Sequence, residues 1–186
     1  GTPAREIGQV LDKIAAQAAR AGEFIRQIKA FVRNARPSHV PSDINDAVRD
    51  AIVLAEPLVR QRSVDLQSSL ASSLPRVVID KIQIEQVILN LLQNAVEAMD
   101  ALPRGDRRMN ITSSLSADGA IRVAVQNRGP GIPAHAIARV FEPFFTTKVG
   151  GTGLGLSISR SIIEAHDGTL RIQSTERDGT VVWFTL

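Results

Sequence analysis

Residues 144–159 carry the densest chemistry in this chain: Phe144-Phe145-Thr146-Thr147-Lys148-Val149-Gly150-Gly151-Thr152-Gly153-Leu154-Gly155-Leu156-Ser157-Ile158-Ser159. Glycines let the backbone adopt positive φ and approach a ligand closely. An apolar-periodic helix follows, and a helix N-terminus offers unpaired N–H groups and a positive dipole end to an anion. Together with Lys148 and the two threonines, this describes a phosphate cradle. A flexible loop that merely caps a helix would use the same glycines, so the segment alone does not choose. A second constellation is Asn90 and Asn94, one helical turn apart, with Glu97 three residues further. Asparagine is a mediocre helix former, and a buried amide is costly unless bonded. Two of them beside an apolar stripe point to a polar site at a core edge, the plain alternative being two surface asparagines. A third is Asn127-Arg128-Gly129-Pro130-Gly131-Ile132-Pro133, whose glycines flank a proline in a tight, backbone-exposing turn.

The elements that must position these residues follow from periodicity. From about Pro3 to Asn34, Ile7, Leu11, Ile14, Ala18, Ala21, Ile25, Ile28 and Val32 alternate steps of four and three, a heptad seam that needs a partner helix. Residues 36–41 read as a proline-containing linker that includes His39, a solvated side chain. Ser42 is expected to cap a helix over roughly 43–62, which Pro57 would kink or shorten. Val64–Gln67 and Val77–Ile79 read as short strands. Asp80, with Gln83 at capping-box spacing, opens a helix to about Ala101 that carries Asn90, Asn94 and Glu97. Strands are expected at 109–115 and 121–126, and a short helix at 133–139. The helix after Gly153 is expected to end at Gly168 in a left-handed cap, before a hairpin of 170–174 and 180–186. This order supports an α/β two-layer domain with helices on one face of a sheet.

Composition sets the bounds. The 186 residues, 44% hydrophobic and 22% charged, suit one ample globular core plus an appendage. Cysteine is absent, which excludes disulfides and thiolate metal sites and fits a reducing cytoplasm. No apolar run reaches membrane-spanning length, and no signal-peptide pattern opens the chain. A net charge of +3 with 4% aromatics gives little support to nucleic-acid binding. The cluster of Arg104, Arg107 and Arg108, which sits with Pro103 and Gly105, reads as a solvated turn.

The ordered motifs resemble the sensor histidine kinases of two-component systems, most of all the FixL type. Residues 80–98 look like the family's N box, 127–132 its G1 box, 141–148 its F box and 151–156 its G2 box. The resemblance covers roughly residues 42–186, the catalytic ATP-binding domain. The helix at 3–34, within residues 1–36, resembles the second helix of the dimerisation hairpin, joined by a linker at 37–41. It implies a Bergerat (GHKL) fold, a two-layer sandwich of a mixed sheet with helices on one face, and transfer of the γ-phosphoryl of ATP to a histidine. By motif position, Asn94 would bind Mg²⁺, with Asn90 beside it near the phosphates. Lys148 and Arg139 would balance phosphate charge, Asn90 and Lys148 being the catalytic pair. Thr147, Gly151, Gly153, Leu154, Gly155 and Leu156 would line the phosphate side, and Gly129 and Gly131 would let the backbone close over adenine. The implied partners are a histidine-bearing dimerisation domain and a response-regulator receiver domain, with a homodimer in the intact protein and no nucleic acid.

Two departures matter. The G1 position that usually holds aspartate, accepting the adenine amino proton, is Asn127. An amide oxygen can accept that bond without a carboxylate's charge assistance, so binding is expected to be weaker by about 1 kcal/mol. The phospho-accepting histidine box is missing, because His39, His135 and His166 lack its context. The expectation is therefore a fragment that binds Mg-ATP but lacks its own acceptor and its sensor region. With only Val149 and Gly150 between the F and G2 boxes, the ATP lid is expected to be short and mobile until nucleotide fills the site. Two other readings stay open: a GHKL-type ATPase or anti-sigma serine kinase, against which the dimerisation-like helix counts, and a nucleotide-binding docking module without phosphotransfer, for which Asn127 is the best support.

Overall fold

The computed structural model describes Gly8 and residues 38–148, 151–175 and 178–186. Contacts divide the chain into two compact units, Gly1–Pro37 and Ser38–Leu186. The heptad-patterned helix expected at 3–34 lies, but for Gly8, outside the described residues.

The second unit runs β1 (Val40–Ser42), α1 (Ile44–Gln61), β2 (Asp65–Leu70), β3 (Val77–Ile79), α2 (Lys81–Ala98), β4 (Arg108–Leu115), β5 (Ile121–Asn127), α3 (Ala134–Ile137), α4 (Gly155–Glu164), β6 (Thr169–Thr175) and β7 (Gly179–Thr185). Five strands form one sheet in the order β2-β4-β5-β7-β6. Only the β2–β4 pair is parallel. The sheet is therefore mixed, as the resemblance implied. Its alternate residues Met109, Ile111, Val123, Val125, Leu170 and Phe184 are buried in one core with α1, α2 and α4. The period-2 strand pattern and the 3.6-period helix stripes thus meet in a two-layer sandwich.

Several boundaries differ from the sequence reading. Val40 and Pro41, expected in the linker, pair antiparallel with β3 across Ile79 and Val78. Ser42 lies in that strand, and Asp43 caps α1 instead, its carboxylate accepting the Asn45 N–H at 2.8 Å. Helix α1 runs through Pro57 to Gln61 and stops where Ser63 takes φ 52°. The loop after α2 is tied to the end of α1 by Arg107, which donates to the carbonyls of Asp100 and Leu102 in that loop and of Arg62, the C-cap residue of α1. That explains one residue of the basic cluster: Arg107 satisfies carbonyls that no helix or strand bonds. Asp80 caps α2 as expected, accepting the Gln83 N–H at 3.2 Å. After α4 the left-handed residue is Asp167 (φ 57°), whereas Gly168 is needed because a Cβ there would fall on the Thr185 carbonyl oxygen. His166 locks this corner. Its Nε2 accepts the Asp80 N–H at 3.0 Å and its Nδ1 contacts the Ile162 carbonyl at 2.7 Å.

Candidate functional site

Helix α2 presents Asn90, Asn94 and Glu97 along one side because its opposite stripe, from Ile84 to Leu92, is committed to the core. The Asn90 side-chain Nδ2 donates to the Ser159 hydroxyl at 2.9 Å, a residue of α4 that is 2% exposed. This bond fixes the Asn90 amide, so its Oδ1 points at the first residue of α4. A Cβ on Gly155 would fall on that oxygen, so only glycine permits the approach. The two asparagines also touch, Asn94 Nδ2 lying 3.4 Å from Asn90 Oδ1. They form one polar edge between α2 and the N-terminus of α4.

The turn into α4 is built to leave backbone donors available. Gly153 takes φ 68°, and its carbonyl accepts the Phe144 N–H at 3.0 Å. A Cβ on Gly153 would collide with the Phe144 carbonyl. Among the described residues no side-chain cap bond closes the N-terminus of α4, whose N-cap residue is Leu154 and whose first residues are Gly155 and Leu156; the Leu154 N–H itself donates to Thr152 Oγ1 at 3.4 Å. An uncapped helix start facing two amides suits a phosphate. The F-box segment closes against this turn: Thr146 Oγ1 accepts the Lys148 N–H at 3.1 Å, and the Gly151 N–H donates to the Lys148 carbonyl at 3.2 Å. Val149 and Gly150, on which the expected short lid partly depends, lie outside the described residues.

Lys148 reaches back to α2. Its ammonium is 2.6 Å from Glu97 Oε2, 3.3 Å from Asn94 Oδ1 and 3.5 Å from the Asn94 carbonyl. Both charged side chains remain partly solvated, at 38% and 46% exposed. Thr147, beside Lys148, is exposed. Arg139 is not brought to this cluster, because its guanidinium bonds Glu142 at 2.9 Å and lies over the Phe145 ring at 4.4 Å.

At the other end of α2 sits Asn127, the last residue of β5 and 3% exposed. Its Nδ2 is buried without a hydrogen-bond partner among the described residues. A Cβ on Gly129 would stand 2.6 Å from that nitrogen and 2.9 Å from the Ala98 carbonyl oxygen, so Gly129 makes room for both. Gly131 takes φ 79°, as the turn requires. The neighbouring Ile132 N–H donates to Ser174 Oγ at 2.7 Å, and that hydroxyl lies 2.7 Å from Thr180 Oγ1. Thr180 is 7% exposed and pairs in register with Asn127.

The structure thus joins Asn90, Asn94, Lys148, Gly151, Gly153, Leu154, Gly155 and Leu156 at one edge of α2 and the β5 turn at the other. Sequence reasoning missed Ser159, Ser174 and Thr180. Small hydroxyls on an apolar-periodic helix and in a hairpin carry no local signal, and only register and helix packing identify them. The donor set fits Mg-ATP. Asn94 Oδ1 is a hard oxygen that already faces a cation, the Lys148 ammonium, and Gly155 brings the start of α4 directly against the Asn90 amide.

Comparison with known proteins agrees. Residues 79–186 match the family of histidine kinase-, DNA gyrase B- and HSP90-like ATPases. The chain is 38% identical over 98% of its length to the sensor protein TdiS of Thauera aromatica, covering 34% of that protein. It is 38% identical over 97% of its length to the sensor protein FixL of Bradyrhizobium diazoefficiens, covering 35% of it. The chain therefore spans about a third of the length of these two relatives. Among solved structures, the catalytic domain of histidine kinase ThkA is 36% identical, with a TM-score of 0.68, covering 80% of this chain and 94% of that one. ThkA in complex with the response regulator protein TrrA matches all of this chain and 51% of that one, at 28% identity and a TM-score of 0.72. With a family match over more than half its length, the chain belongs to the histidine kinase-, gyrase B- and HSP90-like ATPases, as an ATP-binding catalytic domain of the sensor histidine kinase kind.

Proposed function

We propose that this chain binds Mg-ATP between α2 and α4 and donates the γ-phosphoryl to a histidine on a dimerisation domain, for relay to a response-regulator receiver domain. The observation that carries this is the Asn90–Ser159 bond, which holds two amide-bearing turns of α2 against an uncapped helix start. In this reading Asn94 Oδ1 holds Mg²⁺, and the cation supplies neutralisation of phosphate charge. The N–H groups of Gly155 and Leu156 at the start of α4, with that of the N-cap Leu154 once it leaves Thr152 Oγ1, bind the triphosphate, and Lys148 adds a positive charge. Asn127 Oδ1 accepts from the adenine amino group, beside Thr180. Phosphoryl transfer of this kind rests on positioning and charge neutralisation, so no covalent enzyme nucleophile is needed. The unprotonated nitrogen of the neutral imidazole attacks, so a P–N bond forms as the P–O bond to ADP breaks, and the other ring nitrogen passes its proton to solvent.

None of His39, His135 and His166 has the sequence context of the family's acceptor histidine, and in this reading none serves as the acceptor. The His166 ring is engaged by Asp80 and Ile162, and the ring of His39 packs on it at 4.7 Å. The acceptor is therefore supplied from outside residues 1–186. Residues 1–36 are proposed as the second helix of a dimerisation hairpin, through which the intact protein forms a homodimer, and the domain acts in the cytoplasm. No helix among the described residues is long and apolar enough to cross a membrane. The test is to mix the chain with γ-labelled ATP, Mg²⁺ and a separately supplied histidine-bearing dimerisation domain. Acid-labile label on that domain is the expected result, appearing slowly because docking is no longer intramolecular. Phosphate release without label would point to a GHKL-type ATPase, and binding alone to a docking module.

A further inference from the structure

Glu97 has no role in the reading above, yet it makes the shortest polar contact of the cleft. The Lys148 ammonium sits 2.6 Å from Glu97 Oε2 and 3.3 Å from Asn94 Oδ1. Three residues apart on α2, these two oxygens face the same point and share one cation. A carboxylate and an amide oxygen are also the kind of hard donors that a small divalent cation selects, and such ions commonly take one or two carboxylates. The amide of Asn94 alone is an uncharged ligand. A protonated amine and a divalent cation are therefore alternative occupants of one oxygen pair, since their mutual repulsion at that distance opposes joint occupancy.

We propose that Glu97 is a ligand of the divalent cation in the nucleotide site, directly or through one bound water, and that Lys148 holds its place until metal and nucleotide arrive. Metal loading then displaces the ammonium, which is freed to meet the phosphates it would otherwise not reach. The proposal rests on the Mg-ATP reading of the cleft. It gives that reading an ordered exchange: one positive charge leaves Asn94 as another arrives, so the amide and carboxylate never face the triphosphate uncompensated.

The test measures the metal itself. Mn²⁺ is titrated into the chain saturated with ADP, with bound metal read from loss of the free Mn²⁺ electron paramagnetic resonance signal relative to ADP alone. ADP affinity is measured separately by calorimetry in EDTA. Glu97→Gln is expected to weaken Mn²⁺ by about tenfold or more, while ADP affinity in EDTA stays level or rises because an anion near the phosphates is gone. Glu97→Asp, which keeps the charge, is expected to recover most of the Mn²⁺ affinity. Lys148→Met is expected to do the reverse of Glu97→Gln, binding Mn²⁺ more tightly and metal-free ADP more weakly. Unchanged Mn²⁺ affinity in Glu97→Gln would overturn the proposal and leave Glu97 as an anchor for Lys148. A parallel loss of metal and metal-free nucleotide binding would overturn it in favour of a structural role. Failure of the unsubstituted chain to bind ADP at all would instead refute the Mg-ATP reading on which it rests.

Discussion

Ser159→Ala isolates the contact that joins the two nucleotide-facing helices. Ser159 is 2% exposed, and its hydroxyl takes the Asn90 Nδ2 at 2.9 Å. Removing the hydroxyl leaves that part-buried amide N–H without its acceptor. An orphaned buried donor costs about 1–3 kcal/mol, whereas the lost methyl-sized volume is negligible. At about 2–4 °C per kcal/mol for a unit of this size, the thermal midpoint should fall by several degrees. The nucleotide effect should be larger than that of a remote substitution of equal stability cost, because a freed Asn90 amide can turn its Oδ1 away from Gly155 and Asn94. The assay is a double-mutant cycle of Ser159→Ala and Asn90→Ala, read by thermal unfolding and by calorimetry with an ATP analogue. Coupling of about 1 kcal/mol in stability is predicted, with Ser159→Ala losing affinity only while Asn90 is present. Additive effects, or full affinity in Ser159→Ala, would refute the idea that α4 orients Asn90.

The remaining predictions concern backbone and amide chemistry. Asn127→Asp should tighten ATP by about 1 kcal/mol through a charge-assisted bond to the adenine amino group, measured by calorimetry. The same change should lower the nucleotide-free thermal midpoint, because a carboxylate oxygen replaces the buried Nδ2 beside the Ala98 carbonyl; unchanged or weaker ATP affinity would contradict it. Gly153→Ala should lose at least 1 kcal/mol of stability, since φ 68° strains an L-residue by about 1–2 kcal/mol and its Cβ meets the Phe144 carbonyl. It should also abolish detectable ATP binding, which a filter or calorimetric assay would show. His166→Ala orphans the Asp80 N–H and the Ile162 carbonyl and should cost about 2 kcal/mol; thermal unfolding checks it, and a cost below about 0.5 kcal/mol would mean the corner is held otherwise.

Much of the architecture could be read in the chain itself. Strand alternation at Met109–Leu115 and the stripe from Ile84 to Leu92 are properties of single elements, so periodicity found them. The Asp80 cap was legible because its acceptor and donor lie three residues apart. What escaped were features that exist only across elements. Asp43 rather than Ser42 caps α1, because Ser42 is drawn into a strand by β3, a pairing no local pattern announces. Gly168 is a packing glycine and not the left-handed cap, a distinction set by Thr185 of another strand. In the site, the spacing of Asn90 and Asn94 put them on one face, and the resemblance gave them roles. Ser159 and Thr180 became visible only when α4 and β7 were laid against α2 and β5. Lys148 was expected at the phosphates, and the structure adds that it rests on Glu97 and Asn94.

The central claim is that the edge between α2 and the start of α4 is one metal-dependent nucleotide site. Calorimetric titration of a non-hydrolysable ATP analogue with and without Mg²⁺, on the unsubstituted chain and on Asn94→Ala, tests it most directly. One analogue is expected to bind per chain, tightened by Mg²⁺ in the unsubstituted chain, with the Mg²⁺ dependence lost in Asn94→Ala. No binding, or Mg²⁺-dependent binding that survives the loss of Asn94, would contradict it.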